Sequence, residues 1–236
     1  MDFIMIRLTM YGAREWLGSG IIALILIAVF IFIAVKFHQP VLASLLIGFT
    51  VIVWLGIAAF FRVPDRIIPQ DPALLVSPAD GLVKDIELIS NCEIDVFKGK
   101  DVVRIGIFLS VFDVHVNRAP CDFTVEYKKY REGKYLDARN GNCSKENEAM
   151  TIGGIANAGG LVFPVAVRQI SGAIARRIVC PPEIGGKYKK GEIYGMIKFG
   201  SRTELYLPAE RNIVLSVKVG DRVYSGSSVV GQIVKQ

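Results

Sequence analysis

Two uncharged apolar runs, Leu17 to Val35 and Pro40 to Phe61, stand almost back to back near the start of this 236-residue chain. They constrain the fold more than any other feature. Each is about 20 residues long, enough for a helix to cross the hydrocarbon core of a bilayer. The connection KFHQ (36–39) allows only a tight turn, so residues 1–64 read as a transmembrane helical hairpin. A second run directly after the first argues against a cleaved secretory signal. Arg7 and Arg14 precede the first run and Arg62 and Arg66 follow the second, whereas the turn offers only Lys36. That asymmetry places both the N-terminus and the domain that follows on the cytoplasmic side of the cell membrane. A shallow hairpin held in one leaflet is the alternative at this minimal length.

The stretch RVPDRIIPQDPA (62–73), rich in prolines and charges, marks the boundary between anchor and domain. Beyond it lie short β-branched runs, among them VVRIGIFLSVF, FTVEYKKY, LVFPVAVRQI, IYGMIKF, ELYLP and NIVLSVKV, separated by Gly, Pro, Asn and Asp. Residues 65–236 are therefore expected to form a mostly β domain, a barrel or sandwich of hairpins. The polar stretch 134–150 reads as a loop or short helix at the rim of a site. GGKYKKGEIYGMI (185–197) and GDRVYSGSSVVGQI (220–233) echo one another in glycine spacing, as two related glycine-pinned hairpins would. Biotinyl and lipoyl carrier domains have similar glycine patterns, but neither Lys189-Lys190 nor the turn at 225–228 matches their modified-lysine turn.

The net charge of +6 suits a surface of anionic lipid head groups. Its basic residues are scattered, without a recognition helix or an aromatic RNA-binding motif, which argues against a nucleic-acid partner. Cys92, Cys121, Cys143 and Cys180 form no CxxC pair and read as reduced thiols, neither a metal site nor a disulfide framework.

Two histidines are present. His38 lies in the turn between the apolar runs. His115, in VFDVHVNRAP, is the one imidazole available to the β domain for proton transfer near neutral pH. Asp80 in SPADG and Ser201 after Gly200 both occupy turn-like contexts, and each has an ordinary structural reading as a turn residue. An acid, a histidine and a serine can form a triad, but only through the geometry of the fold.

The segments SPADG, HVNRAP, ARRI (175–178) and FGSRTELYLP, in this order behind two apolar runs, resemble the short phosphatidylserine decarboxylases, including archaeal relatives assigned to archaetidylserine. The resemblance covers essentially the whole chain. It implies a proenzyme that cuts itself between Gly200 and Ser201 into a β chain, 1–200, and an α chain, 201–236, which remain associated. Ser201 would attack the Gly200 carbonyl and become a pyruvoyl cofactor. That group would form a Schiff base with a serine phospholipid and release carbon dioxide, leaving the ethanolamine lipid, with no metal required. The resemblance makes His115 the general base and acid and Asp80 the group that orients it. Arg118, Arg176, Arg177 and Arg202 become candidates for the lipid phosphate or carboxylate, and Asn147 and Glu148 for lining the site. Longer relatives carry two histidines three residues apart where this chain has His115 and Arg118, so His115 must serve both reactions or Arg118 must assist. The helical hairpin or an open sheet edge offers a surface for a homodimer. The rival readings are a membrane-tethered β-barrel adaptor and a processing-dead lipid-binding relative. A hydrolase is disfavoured because GxSxG is absent around Ser201.

Overall fold

The computed structural model describes residues 7–137, 143–173, 177–198 and 201–234. The chain divides into two compact units, 1–65 and 66–236. In the first, α1 (Ala13–Phe37) and α2 (Pro40–Phe60) form an antiparallel hairpin. His38 closes α1 in the left-handed region at φ 53°, and Pro40, preset for a helical start, opens α2. Trp54 Nε1 donates to the Trp16 carbonyl over 3.3 Å and ties the helices together. A short ladder, β1 (Arg7–Leu8) with β2 (Arg62–Val63), closes the open end of the hairpin. Both helices are apolar all round and long enough to cross a membrane, with Leu24, Phe32, Leu45 and Ile52 among their exposed side chains.

The second unit is mostly β. Its strands are β3 (Leu74–Val76), β4 (Gly81–Ile89), β5 (Val102–Leu109), β6 (Val116–Arg118), β7 (Phe123–Arg131), β8 (Ala149–Ala158) and β9 (Leu161–Ile170), followed by β10 (Arg177–Val179), β11 (Lys187–Tyr188), β12 (Ile193–Lys198), β13 (Ser201–Pro208), β14 (Ile213–Leu215), β15 (Arg222–Val223) and β16 (Val229–Ile233). A short helix, α3 (Cys143–Glu146), lies in the polar stretch before β8. A curled eight-stranded sheet runs β11-β7-β8-β9-β13-β5-β4-β15, and two three-stranded sheets run β10-β12-β6 and β14-β16-β3. Every named pairing is antiparallel.

This order reads as two equivalent halves meeting between β9 and β13. β15 flanks β4 as β11 flanks β7, and β16 pairs β3 as β12 pairs β6. β4 and β7 each carry a register shift near the start of their long pairing, after Val83 and after Val125. Between the halves, Val76 N donates to Pro120 O (2.9 Å) and Arg118 N to Pro78 O (3.0 Å). The glycine echo in the sequence belongs to this repeat. Gly191 and Gly226 occupy equivalent turns at φ 78° and 77°, a region that favours glycine, and their N–H groups donate to Ala119 O and Ser77 O.

Alternation along β13 gives the large sheet two unlike faces. Leu205 and Leu207 join Ile105, Ile107, Val165 and Val167 in the main apolar core. Arg202, Glu204 and Tyr206 turn to the other face with Arg104 and Arg168. Ser201 and Thr203 share the pleat of Leu205 and therefore belong to the core-facing side.

Candidate active site

β12 ends at Lys198 and β13 begins at Ser201. Gly200 lies outside the described residues, as does Arg176. Ser201 is fully buried, and its Oγ has no hydrogen-bond partner. Leaving a buried hydroxyl unsatisfied costs about 1–3 kcal/mol, so it calls for a reason. The register that pairs Arg202 with Ile170 brings Ser171 next in line to Ser201, and Ser171 N in turn donates to Glu148 O over 2.9 Å. Ser171 Oγ and Glu148 Oε2 are likewise buried and unpartnered. Three adjacent strands thus end in a row of unsatisfied side-chain oxygens, an arrangement suited to a polar ligand.

His115, also fully buried, sits just before β6, and its carbonyl accepts from Ile197 N at 3.1 Å, so β12 runs past it shortly before the chain reaches Ser201. Its Nδ1 lies 2.9 Å from the Asp113 carbonyl. A carbonyl only accepts, so Nδ1 carries a proton, and in the neutral ring Nε2 is then the accepting nitrogen. A compact turn holds that carbonyl in place: Asp113 N donates to Ser110 O (3.0 Å), and Asp113 Oδ2 accepts from Ser110 N and Oγ at 2.8 Å each. Arg222 pairs with Asp113 Oδ1.

Asp80 is buried beside this turn. Its Oδ2 accepts from Arg66 Nη2 (2.6 Å) and its Oδ1 from Ser225 N (2.7 Å). Burial pushes its carboxyl above the usual range despite the opposing Ser225 hydrogen bonds and Arg66 charge, and Asp113 adds to the rise. The sequence reading gives Asp80 the task of orienting His115. The hydrogen bond on Nδ1 goes to a main-chain carbonyl two residues upstream, that of Asp113, and the Asp80 carboxylate is bound to Arg66 and Ser225. Gly81, at φ 147°, brings its backbone so close to the Phe108 carbonyl that a Cβ would collide with it.

Asn117 joins the motifs. Its Nδ2 donates to Pro78 O (3.3 Å) and Thr203 Oγ1 (3.0 Å), while its Oδ1 accepts from Gln169 Nε2 (2.8 Å). SPADG, HVNRAP and the strand beginning at Ser201 are thereby knitted into one buried network. Sequence reasoning missed Asn117, Gln169, Ser171, Asp113 and Arg66. Asn117 alone carried a signal: in a strand it shares a face with His115, two residues away.

The other candidates have different surroundings. Arg202 lies across the pleat from Ser201 and makes a bidentate pair with Asp85 (2.6 and 2.7 Å), while its Nε donates to Glu204 (2.9 Å). Burial alone would raise the Asp85 carboxyl, but the Arg202 hydrogen bonds and charge, with help from Arg104, hold it below its usual value. Arg118 donates to Gly191 O at 2.8 Å. Arg177 is exposed, opposite Lys198 in the β10–β12 ladder. Asn147 spends its amide on backbone, accepting from Leu136 N and donating to the carbonyls of Leu136 and Ser171 (2.7–2.9 Å). Glu148 Oε1 accepts from Tyr130 OH at 3.0 Å. Burial pushes the thiols of Cys121 and Cys180 up to about 12.

A profile for phosphatidylserine decarboxylase matches residues 56–231, from the last turns of α2 into β16. Proteins named phosphatidylserine decarboxylase proenzyme align over most of their own length. The one from Carboxydothermus hydrogenoformans is 50% identical over 182 residues, 77% of this chain and 82% of the relative. That of Geotalea uraniireducens is 39% identical over 194 residues (80% and 84%), and that of Symbiobacterium thermophilum 40% over 174 (74% and 77%). The matched stretch includes the strands and turns that carry Asp80, His115 and Ser201, and the chain belongs to the phosphatidylserine decarboxylase family.

Proposed function

We propose that this chain is a self-processing, pyruvoyl-dependent decarboxylase that converts phosphatidylserine, or its archaeal counterpart, to the ethanolamine lipid. The observation that carries the reading is the buried, partnerless Ser201 Oγ at the head of β13, in line with Ser171 and Glu148.

In the processing step His115 Nε2 accepts the Ser201 hydroxyl proton as Oγ attacks the Gly200 carbonyl carbon. The C–N bond breaks, the proton passes to the departing nitrogen, and an ester replaces the amide. Loss of the Ser201 Cα proton expels the Gly200 carboxylate, and water then replaces the nitrogen, which leaves as ammonia. The Asp113 carbonyl keeps His115 in the tautomer this requires. The Asp80 carboxylate, close to Asp113, favours the transient imidazolium.

The pyruvoyl group, once formed at position 201, supplies a carbonyl electron sink for the pair left behind by carbon dioxide. Glu148 and Ser171 offer acceptors to the head-group ammonium. His115 returns a proton to the substrate carbon. Arg177, exposed on β10 opposite Lys198, is the candidate arginine for the lipid phosphate, since Arg202 is committed to Asp85 and Glu204.

After cutting, β13 stays hydrogen-bonded to β5 on one side and β9 on the other, which supports continued association of the two chains. The helical hairpin would hold the enzyme in the cell membrane with the β domain on the cytoplasmic side. Denaturing mass spectrometry of the purified chain tests the proposal. Fragments 1–200 and 201–236, the latter beginning with pyruvoyl, are expected; an intact, stable 236-residue chain would overturn it.

A further inference from the structure

The charged face of the large sheet, across the pleat from Ser201, holds a cavity of about 400 Å³ lined by Arg104, Arg131, Lys145, Arg168, Glu93 and Tyr206. Its volume lies within the range of small-molecule sites. The carboxylates nearby are unevenly shared. Arg104 is matched by Glu87 (2.9 Å), Asp85 (3.3 Å) and Glu204 (3.5 Å). Among the described residues, Arg131 donates to neutral acceptors, the carbonyls of Ser144 (2.8 Å) and Asn147 (3.0 Å). Arg168 has Thr151 Oγ1 and one carboxylate, Glu93, which is 76% exposed. Lys145, on the exposed side of α3, has no ion pair among the described residues.

Among the described residues, Arg131 and Lys145 thus have no carboxylate within ion-pair distance, and the one that pairs with Arg168 is largely exposed. Burial, and then the charge of Arg168, pull Arg131 below the usual guanidinium range, although the charges of Glu93 and Glu204 oppose the shift. Guanidinium groups match a phosphate bidentately, and a lysine adds a point charge. We infer that this cavity binds a phosphate ester, gripped by Arg131 and Arg168 and capped by Lys145, with Glu93 as the internal carboxylate it displaces. The pleat separates this cavity from the row at Ser201, so the inference stands apart from the reading of that site.

The phosphate could belong to a soluble ester or to a lipid head group. Both probes are tested on the detergent-solubilised full chain by calorimetry at constant ionic strength: glycerol 3-phosphate, and short-chain phosphatidylglycerol against short-chain phosphatidylcholine. Saturable binding of glycerol 3-phosphate supports a soluble source, and binding of phosphatidylglycerol alone supports a lipid source. Glu93→Gln should tighten binding roughly threefold and Lys145→Gln weaken it roughly threefold, as expected for exposed charges. Arg168→Gln should weaken it about tenfold. Glu93 and Lys145 are exposed, so loss of fold is not expected to mask their effects, and melting curves check this. No saturable binding of either probe, or the same affinity in Glu93→Gln, Lys145→Gln and the unaltered chain, would overturn the inference.

Discussion

Asn117 donates to Thr203 across 3.0 Å, joining the strand that follows His115 to the strand that begins at Ser201. Eighty-six residues separate the two in sequence, and Gln169 and Pro78 complete the same junction. Truncation at this point should disturb the proposed chemistry without touching a reacting atom. Asn117→Ala leaves the Gln169 amide and the Thr203 hydroxyl to find other partners, at about 1–3 kcal/mol. Slower appearance of the 201–236 fragment, together with a lower melting temperature, is expected. Unchanged cutting would mean that the junction does not position the serine.

Ser201→Ala should abolish both cutting and decarboxylation, whereas Ser201→Cys or Ser201→Thr keeps a nucleophile and should cut slowly. His115→Ala should accumulate the 236-residue chain. Time-resolved gels of freshly synthesised protein distinguish these outcomes, and efficient cutting in His115→Ala would remove the histidine from the first reaction.

Asp80 and Asp85 should respond to pH in opposite senses. Asp80 is raised above its ordinary 3.8 by burial, so the folded state binds its proton more tightly. Its contribution to stability is full below about pH 4 and wanes as pH climbs through the elevated value. Asp85 is lowered from 3.8, so its contribution is present above that value and is lost as pH falls through the depressed one. In an uncut Ser201→Ala background, the stability lost in Asp80→Asn should shrink as pH rises from about 4 to 7, and the loss in Asp85→Asn should shrink in acid. Parallel melting profiles for both variants would contradict the assignment.

Arg202→Ala strips a bidentate partner from Asp85 and leaves Glu204 under-satisfied. The expected cost is about 3 kcal/mol, the low end for a broken buried pair because Asp85 remains 27% exposed. Gly106→Ala should act on the same cluster from the other side, since its Cβ would run into the Arg202 guanidinium and Asp85 Oδ1. Thermal melts of both variants check this, and a neutral Gly106→Ala would show that the cluster can shift to make room.

Much of the architecture was legible in the chain because hydrophobicity writes it plainly. The helical hairpin follows from two uninterrupted apolar runs, and β5, β9 and β13 follow from dense β-branched stretches. β8 was missed because AMTIGGIANA replaces bulky residues with Gly and Ala, and the structure shows why it must. At Gly154 a Cβ would strike the Thr124 backbone of the neighbouring strand. β4 was missed because Lys84, Asp85 and Glu87 mask its alternation, although Asp85 serves the charged face of the sheet. NIVLSVKV reads as one of the short β runs, and within it only Ile213–Leu215 forms a strand, paired with β16. Motif residues such as His115 and Ser201 stood out by type. Asp113 and Ser171 contribute a main-chain carbonyl and a register position, and no side-chain pattern announces either.

The two glycine-spaced segments fall on opposite sides of the 200–201 bond, one running from β11 to β12 and the other from β15 to β16, and each links two different sheets where a hairpin was expected. The proposed scission there would leave these two equivalent turns on different chains. Each segment has its own turn, closed by Glu192 N on Lys189 O in one and by Ser228 N on Tyr224 O in the other. A break between β12 and β13 would thus open neither turn, and the strands on its two sides would stay joined through the ladders of β13, β15 and β16 with β5, β4 and β3.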